Sequence, residues 1–307
     1  MNLSRFAKFS WGVLFFNILV ILWGAFVRAT GSGAGCGSHW PLCNGEVVPQ
    51  APQVGTIIEF VHRTTSGLAF LLVLGLFVWA WRIYPKGDRV RRSAALSFLF
   101  IVTEALVGAG LVLFRWVAQD ASTGRVITIV IHLVNTFLLL ASLSMTAWFS
   151  SRFSERQGAG IKRFLPLFII GLLGTILLGA SGALTALGDT LFPAASFAEG
   201  FQSDFSPTAH FLIRLRVFHP TIAAIVGVYL IVLAGLIRIQ VSQPVTQRIA
   251  RWLTIGILLQ LGAGIVNLFL LAPVWMQIVH LLLADLVWIV LILLTVSSQG
   301  LGYNSEL

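Results

Sequence analysis

The chain alternates long apolar segments with short polar connections. A transmembrane helix takes roughly 20 apolar residues to cross the hydrocarbon core of a bilayer. Eight segments approach that length, at about 8–29, 59–83, 93–115, 126–149, 163–184, 212–237, 249–270 and 275–297. The first is too long for a signal peptide, because its apolar run continues through Trp23 to Val27. The pattern therefore predicts an all-α integral membrane protein with eight transmembrane helices.

Composition leaves almost no room for a soluble domain, since 57% of the residues are hydrophobic, 10% are charged and the mean hydropathy is +0.92. The net charge of +9 comes largely from connections on one side: Arg5, Lys8, Lys86, Arg89, Arg91, Arg92, Arg152, Arg156, Lys162, Arg163, Arg238, Arg248 and Arg251. Connections 30–58 and 184–211 contain no Lys or Arg. The positive-inside rule then predicts a cell-membrane protein with both termini in the cytoplasm. Without a basic soluble surface, we expect no nucleic-acid partner.

Short motifs recur about halfway along the chain. Gly24-Ala25 and Thr30 return as Gly179-Ala180 and Thr185 at an offset of 155, and Gly108-Ala109-Gly110 returns as Gly262-Ala263-Gly264 at an offset of 154. Small residues also let membrane helices pack closely, which by itself would account for the Gly-Ala pairs. The repeat unit holds four helices, an even number, so both copies share one topology. We predict two tandem four-helix bundles, 1–150 and 151–307, related by a pseudo-two-fold axis along the membrane normal and joined by a basic linker near 150–163.

Four histidines lie near the predicted outer ends of the even-numbered segments: His62, His132, His219 and His280. In the repeat, the first corresponds to the third and the second to the fourth. Intramembrane histidines usually face a bundle interior and mark a ligand or proton site. A single one could be a hydrogen-bonded core residue. Two at matching depth in each half instead predict two bis-histidine sites for a flat metal cofactor such as heme, near the outer face.

Other uses of histidine fit less well. Zinc is disfavoured, because no Cys, Asp or Glu repeats beside each pair to complete a tetrahedral set. A proton relay in a transporter is disfavoured because transporter sites tend to lie at the midplane on interrupted helices. His39 and His210 have no counterpart in the repeat, and we interpret them as ordinary residues of outer loops.

The two halves differ beside the first histidine of each pair. Glu59 stands three residues before His62, whereas Arg216 stands three residues before His219, on nearly the same helical face. A carboxylate beside a cofactor can move protons or stabilise a cation, and an arginine can pair with a heme propionate. The asymmetry favours one reactive half and one electron-transferring half. A carboxylate stabilised by the dipole at a helix N-terminus is the other interpretation of Glu59.

Cys36 and Cys43, the only cysteines, lie in the first predicted outer connection. That side is oxidising, so we expect the two to be bonded to each other in a short loop over the Glu59 side of the bundle. Two roles stay open. The pair could be a structural staple, or it could be exposed enough to exchange with a thiol carrier.

Several motifs together resemble the heme A synthase family, in the form with a cysteine pair in the first outer loop. They are Arg28-Ala29-Thr30-Gly31-Ser32-Gly33, the run from Cys36 to Cys43, Glu59-x-x-His62-Arg63, His132-Leu133-Val134-Asn135-Thr136, Arg214-Leu215-Arg216-x-x-His219-Pro220 and His280-Leu281-Leu282. The match covers nearly the whole chain. Some members carry a second cysteine pair in the fifth connection, and this chain has none between Thr185 and Phe211.

The resemblance implies an eight-helix oxidoreductase that acts on a CH group. It would convert heme O to heme A by two successive hydroxylations of the C8 methyl group to a formyl group, with water as the oxygen source, for cytochrome oxidase biogenesis. His62 and His132 would be axial ligands of the substrate heme O, and Glu59 the catalytic carboxylate. His219 and His280 would hold a permanent heme b. Heme O synthase would donate the substrate, a quinone or thiol carrier would take the electrons, and assembly as a homo-oligomer stays open.

Further charged residues have two interpretations each. Arg28, Arg63, Arg214 and Arg216 lie near predicted outer helix ends, where they could pair with heme propionates or anchor the helices at the interface. For Glu104 and Asp285, which are carboxylates inside apolar segments, we expect hydrogen bonds that support helix packing.

A second function remains in competition. A quinol-linked diheme b-type electron-transfer protein would use the same four histidines and leave both hemes unmodified. The difference between Glu59 and Arg216 argues against it, because a pure conduit needs no carboxylate in one site.

Overall fold

The computed structural model describes residues 3–151 and 164–298. In these ranges the chain is helical, with one isolated antiparallel bridge between Cys43 and Glu46. The helices are α1 (Arg5–Ala29), α2 (Val54–Ile83), α3 (Arg89–Leu113), α4 (Thr123–Ser150), α5 (Leu165–Leu191), α6 (Phe197–Asp204), α7 (Phe211–Arg216), α8 (Phe218–Gln240), α9 (Pro244–Phe269) and α10 (Val274–Ser298). A 3₁₀ turn, Ser32–Ala34, follows α1. Eight spans are long and apolar enough to cross a membrane, with α7 and α8 forming one of them. The predicted all-α membrane fold is confirmed.

Several helices begin outside their apolar runs, because polar side chains cap them. Ser4, Asp88 and Ser122 each accept a backbone N–H from the first turn of the helix that follows. Pro244 stands in the first turn of α9, where the missing N–H costs no helical hydrogen bond. α9 begins at Pro244 rather than at the predicted 249, and α2 begins at Val54 rather than at the predicted 59, without a side-chain cap.

The sixth span is broken, which the apolar pattern did not predict. α7 ends at Arg216 and α8 begins at Phe218, with Val217 between them. Pro220 has no N–H for the Arg216 carbonyl, and its ring crowds that same carbonyl. The break therefore falls at Val217, two residues before His219.

The short helix α6 lies in the fifth connection and was also missed. The Ser196 side chain accepts the N–H of Glu199, and the Glu199 side chain accepts the N–H of Ala195. This is close to a capping box, in which a serine and a glutamate three residues later satisfy each other's end of a helix. The Ser-x-x-Glu spacing was visible in the sequence and could have predicted α6.

The described helices pack as two groups of four. In the first group α1 and α3 each contact both α2 and α4, and in the second α5 and α9 each contact both α8 and α10. The groups meet where α4 packs against α5 and α10 and where α1 packs against α5 and α10. When α1, α2, α3 and α4 are exchanged with α5, α8, α9 and α10, the same set of contacts results. The pseudo-two-fold axis itself stays a prediction. The basic residues of the predicted linker lie outside the described residues; they are Arg152, Arg156, Lys162 and Arg163.

Trp288 joins the two groups in the buried core. Its indole stacks on Phe137 of α4 with ring centres 4.8 Å apart, and its Nε1 donates to the Phe137 carbonyl at 2.7 Å. A buried tryptophan needs such a partner for its N–H. This contact fixes α10 against α4, and each of those helices carries one of the four histidines.

Candidate functional site

In the N-terminal half, both candidate ligands pack against glycines of neighbouring helices. A Cβ atom at Gly24 of α1 would lie 2.9 Å from Cε1 of His62, and one at Gly108 of α3 would lie 4.0 Å from Cε1 of His132. The His62 ring thus fills space that any side chain at position 24 would occupy. His62 on α2 and His132 on α4 therefore each pack against a neighbouring helix within the α1–α4 group.

The C-terminal half repeats the arrangement. A Cβ atom at Gly182 of α5 would lie 3.0 Å from Cε1 of His219, and one at Gly264 of α9 would lie 3.1 Å from Cε1 of His280. The two imidazoles face each other, with ring centres 6.5 Å apart and planes at 87°.

The glycines that contact histidines do not pair between the halves as the Gly-Ala motifs do. By contact Gly24 corresponds to Gly182, and Gly108 corresponds to Gly264. Gly179, aligned with Gly24 by sequence, packs against the ring of Phe137 instead of a histidine. A Cβ atom at Gly262, aligned with Gly108, would meet no described atom within 4 Å. Sequence comparison of the halves therefore missed the glycine contacts, because it aligned motif letters rather than helix faces.

The spacing of His219 and His280 fits two axial ligands of one iron. Metal–imidazole bonds are about 2 Å long, which places the ring centres of two opposed ligands roughly 6 Å apart. Ser181 Oγ donates to the Leu178 carbonyl at 2.8 Å and lies 3.0 Å from His219 Nδ1. The hydroxyl oxygen is therefore left to accept a hydrogen bond from Nδ1–H, so Nε2 is the nitrogen available to a metal.

His280 has a different neighbour. The amide nitrogen of Gln260 lies 3.3 Å from His280 Nε2, and His280 Nδ1 is buried without a hydrogen-bond partner among the described residues. Ligation through Nε2 would require Gln260 to move off that nitrogen.

Glu104 contacts His132, which the sequence did not predict. Its Oε1 lies 3.3 Å from His132 Nδ1, within ion-pair distance. The carboxylate also accepts hydrogen bonds of 2.5 Å from Asn135 Nδ2 and Thr136 Oγ1 on α4. The expected packing hydrogen bond is thus confirmed for Glu104. The contact with a candidate ligand is additional, and it matches the carboxylate–histidine–metal arrangement of many metal sites.

For Asp285 the expected packing hydrogen bond is wrong. The residue is 0% exposed, and neither carboxylate oxygen has a hydrogen-bond partner within residues 3–151 and 164–298.

Glu59 is 3% exposed and is held by two groups. Its Oε2 accepts the backbone N–H of Cys36 at 2.8 Å, and its Oε1 accepts Nε and Nη2 of Arg63 at 3.1 and 2.5 Å. Because α2 begins at Val54, Glu59 lies beyond the first helical turn, where the dipole effect has faded. The interpretation of Glu59 as a helix-terminal carboxylate is therefore wrong, and its partners are the outer loop and one arginine.

The predicted disulfide between Cys36 and Cys43 is confirmed. Arg63 holds the loop that this disulfide closes. Its guanidinium donates to the carbonyls of His39 and of Leu42, the latter at 2.6 Å. The cysteines are 0% and 1% exposed, so the expectation that the pair is exposed enough for exchange is wrong. A thiol carrier would reach the sulfurs only after the loop opens.

Arg28 connects the two halves. Its guanidinium on α1 donates to the Ala186 carbonyl at 2.6 Å and to Thr190 Oγ1 at 2.9 Å, both on α5. It also donates to Gln277 Oε1 on α10 at 2.9 Å. Protein groups therefore occupy the side chain that the sequence offered as a propionate partner.

The other candidate arginines differ in exposure. Arg216 pairs with Asp189 at 3.1 Å and with Asp204, whereas Arg214 is exposed. Arg63 is engaged with Glu59. A propionate role for any of the four stays a prediction.

His39 and His210 lie in connections, as expected, the first between α1 and α2 and the second between α6 and α7. His39 contributes its backbone carbonyl to Arg63. His210 does more than a generic loop residue, because its Nδ1 accepts the N–H of Leu212 at 3.3 Å and caps α7.

A family model described as cytochrome oxidase assembly protein matches residues 7–292. Proteins from two strains of Thermus thermophilus, each named protoheme IX farnesyltransferase, are 52% identical over 304 residues, which is 97% of this chain and 49% of each relative. The chain thus spans about half the length of these curated relatives. A heme A synthase from Exiguobacterium sibiricum is 29% identical over 229 residues, covering 74% of this chain and 72% of the relative. One from Bacillus mycoides is 45% identical over 113 residues, 36% of each chain.

Proposed function

Because the chain belongs to the family of cytochrome oxidase assembly proteins, we propose that it is a heme A synthase. It would oxidise the C8 methyl group of heme O to a formyl group by two successive hydroxylations. The observation that carries the proposal is the facing pair His219 and His280, with ring centres 6.5 Å apart, in a chain similar to named heme A synthases. His62 and His132 are proposed as the ligands of the substrate.

The chemistry balances with water as the oxygen source. Each hydroxylation breaks one C–H bond, forms one C–O bond from water and releases two electrons and two protons. The second hydroxylation gives a geminal diol, which loses water to leave the formyl group. His219 and His280 would hold heme b, which would supply a one-electron conduit. A quinone or a thiol carrier is proposed as the final acceptor.

Glu59 is proposed as the catalytic carboxylate. Removing electrons from a methyl group conjugated with a porphyrin leaves positive charge, and a preorganised carboxylate stabilises that charge without reorganisation. Glu59 lies one helical turn from His62, and its two hydrogen-bonded partners, Arg63 and the Cys36 N–H, fix its position. The other half has Arg216 in the corresponding place, paired with acids of its own outer segment.

The partners follow from the substrate. Heme O carries a farnesyl group, and the Thermus relatives are named for farnesylation of protoheme IX. We therefore propose a heme O synthase as the donor. Residence in the cell membrane, cytoplasmic termini and sites near the outer face complete the proposal.

Pigment extraction tests the function. The full chain is co-expressed with a heme O synthase, purified, and its hemes are separated by chromatography. Heme b together with heme O or heme A supports the proposal. Heme b alone would identify the diheme electron carrier, and a protein without heme would leave the transporter interpretation.

Single histidine variants test the site assignment. His219→Ala and His280→Ala should lose heme b selectively, because each removes one axial ligand. His39→Gln is the matched control, since the His39 side chain is exposed and its backbone carbonyl, which the variant keeps, is the group that contacts Arg63. If all four single replacements at His62, His132, His219 and His280 left the heme content unchanged, the ligand assignment would be wrong.

A further inference from the structure

In each half, the third membrane-spanning helix contacts the histidine of the fourth with a glycine and with a polar side chain four residues earlier. The contacting helices are α3 and α9, and the histidines are on α4 and α10. On α3, Gly108 faces the His132 ring, and Glu104, one turn earlier, touches His132 Nδ1 at 3.3 Å. On α9, Gly264 faces the His280 ring, and Gln260, again four residues earlier, touches His280 Nε2 at 3.3 Å. The two arrangements share their spacing along the helix. They differ in charge and in the nitrogen contacted, because a carboxylate lies beside Nδ1 of His132 and an amide lies beside Nε2 of His280.

The surroundings of Glu104 hold its carboxylate in place. Asn135 and Thr136 donate to its two oxygens, and Asn135 is fixed in turn by donating to the Phe100 carbonyl at 2.9 Å and accepting from Thr103 Oγ1 at 2.6 Å. A carboxylate inside a membrane helix is costly, and Asn135 and Thr136 could support packing without one. The charge therefore needs another explanation, and the ring of His132 is the basic group in contact with it.

The counterpart in the other half is held less firmly. The side-chain oxygen of Gln260 is buried and has no hydrogen-bond partner among the described residues. An amide can donate or accept, so it does not dictate which imidazole nitrogen carries the proton. Glu104 lies within ion-pair distance of His132 Nδ1, which makes no hydrogen bond among the described residues. A carboxylate can only accept, so a small turn of the ring that forms this hydrogen bond would place the proton on Nδ1 and leave Nε2 as the ligating nitrogen.

We propose that Glu104 is a positioning residue that fixes His132 for ligation through Nε2 and strengthens it as an electron donor, while Gln260 leaves His280 a weaker donor. This inference rests on the proposed function. A carboxylate on the second nitrogen raises the basicity of a ligating histidine, and hydrogen bonding around the ligands tunes heme potentials. A heme held by His62 and His132 would then have the lower reduction potential, which would favour electron transfer from that site to one held by His219 and His280.

The test is a redox titration of the purified full chain. It is made in a His219→Ala background, where the remaining heme belongs to the His62–His132 site. Glu104→Gln copies the C-terminal half and should favour the reduced heme by about tenfold, which is about 59 mV for a one-electron couple.

Thr136→Val is the packing control. It removes one hydrogen bond to Glu104 but keeps the carboxylate, so the potential should stay where it is. An unchanged potential in Glu104→Gln overturns the proposal, and so does an equal shift in Thr136→Val.

A second measurement covers the case in which Glu104→Gln loses its heme. Nitrogen-15 spectra of the heme-free full chain should show the proton of His132 on Nδ1, and Glu104→Gln should lose that preference. A proton on Nε2 in the unmodified chain would overturn the proposal. The proposed function fails separately, through the identity of the extracted pigments, because the potential shift and the tautomer concern whichever heme the site takes.

Discussion

The carboxylate of Glu59 accepts a hydrogen bond of 2.8 Å from the backbone N–H of Cys36, the first residue of the disulfide loop. The backbones of the loop and of α2 also lie close together. A Cβ atom at Gly35 would be only 2.5 Å from the carbonyl carbon of Gly55. Thr56 Oγ1 adds a hydrogen bond of 2.8 Å to the Gly35 carbonyl. The outer loop and the start of α2 therefore fit together as one unit, and Glu59 is the charged group inside it.

Replacing Glu59 by Gln should abolish heme A formation while both hemes stay bound. The amide keeps the shape of the side chain but removes the charge that stabilises the transition state, a loss of about 10²- to 10³-fold in rate for a comparable preorganised group. Heme O should accumulate in the purified protein and is measured by chromatography of the extracted pigment. A Glu59→Gln protein that makes heme A at the normal rate would end the catalytic proposal.

Arg63→Met separates the charge of Glu59 from its hold on the loop. The variant frees the carbonyls of His39 and Leu42 but keeps the carboxylate and its bond to Cys36. We expect partial turnover, measured with the same pigment assay. A loss as complete as in Glu59→Gln would show that Glu59 acts through the loop.

The disulfide should resist reduction in the native protein. Cys36 and Cys43 are buried and the hydrogen bonds of Arg63 keep the loop shut, so a reductant reaches the sulfurs only through opening of the loop. Thiol labelling after brief treatment with a phosphine reductant should be slow in the unmodified chain and several-fold faster in Arg63→Met. Equal rates would mean that Arg63 does not protect the bond, and free thiols in untreated native membranes would remove the disulfide itself.

Gly264→Ala should lower heme b content several-fold, because the new methyl group would meet the His280 ring at 3.1 Å. Gly262→Ala is the matched control on the same helix, where a Cβ atom would meet no described atom within 4 Å. That control should keep its heme and gain about 1 kcal/mol of helix propensity. The heme content per protein of the two variants is measured from absorbance spectra. Equal heme content in both would contradict the contact between Gly264 and His280.

Arg28→Met should destabilise the joint between the halves. Hydrogen bonds to charged groups contribute about 1.5–3 kcal/mol, and Arg28 donates to Thr190 and Gln277 across that joint. Thermal unfolding in detergent should show a lower midpoint, with the exposed Arg214→Met as the control. If Arg28→Met instead lost heme at unchanged stability, pairing with a propionate would be its role.

The sequence by itself determined the membrane fold, because a helix that satisfies its own backbone hydrogen bonds is the one way for a run of about 20 apolar residues to cross lipid. Hydropathy therefore located all eight spans, and the histidines stood out because polar residues are rare within them. The break before His219 was decided locally by Pro220, and α6 by the spacing of Ser196 and Glu199, so both were readable from the sequence.

Tertiary structure alone decided which side chains meet. Glu104 and His132 lie on different helices, and their contact depends on the rotation and depth of α3 against α4, which hydropathy does not encode. In the other half, the rotation of α5 against α8 selected Gly182 rather than Gly179 as the glycine beside His219. Burial of Cys36 and the partners of Glu59 likewise depend on how an irregular loop folds over α2. Apolar patterning determines that helices form in lipid, whereas close packing between specific faces determines the chemistry of the site.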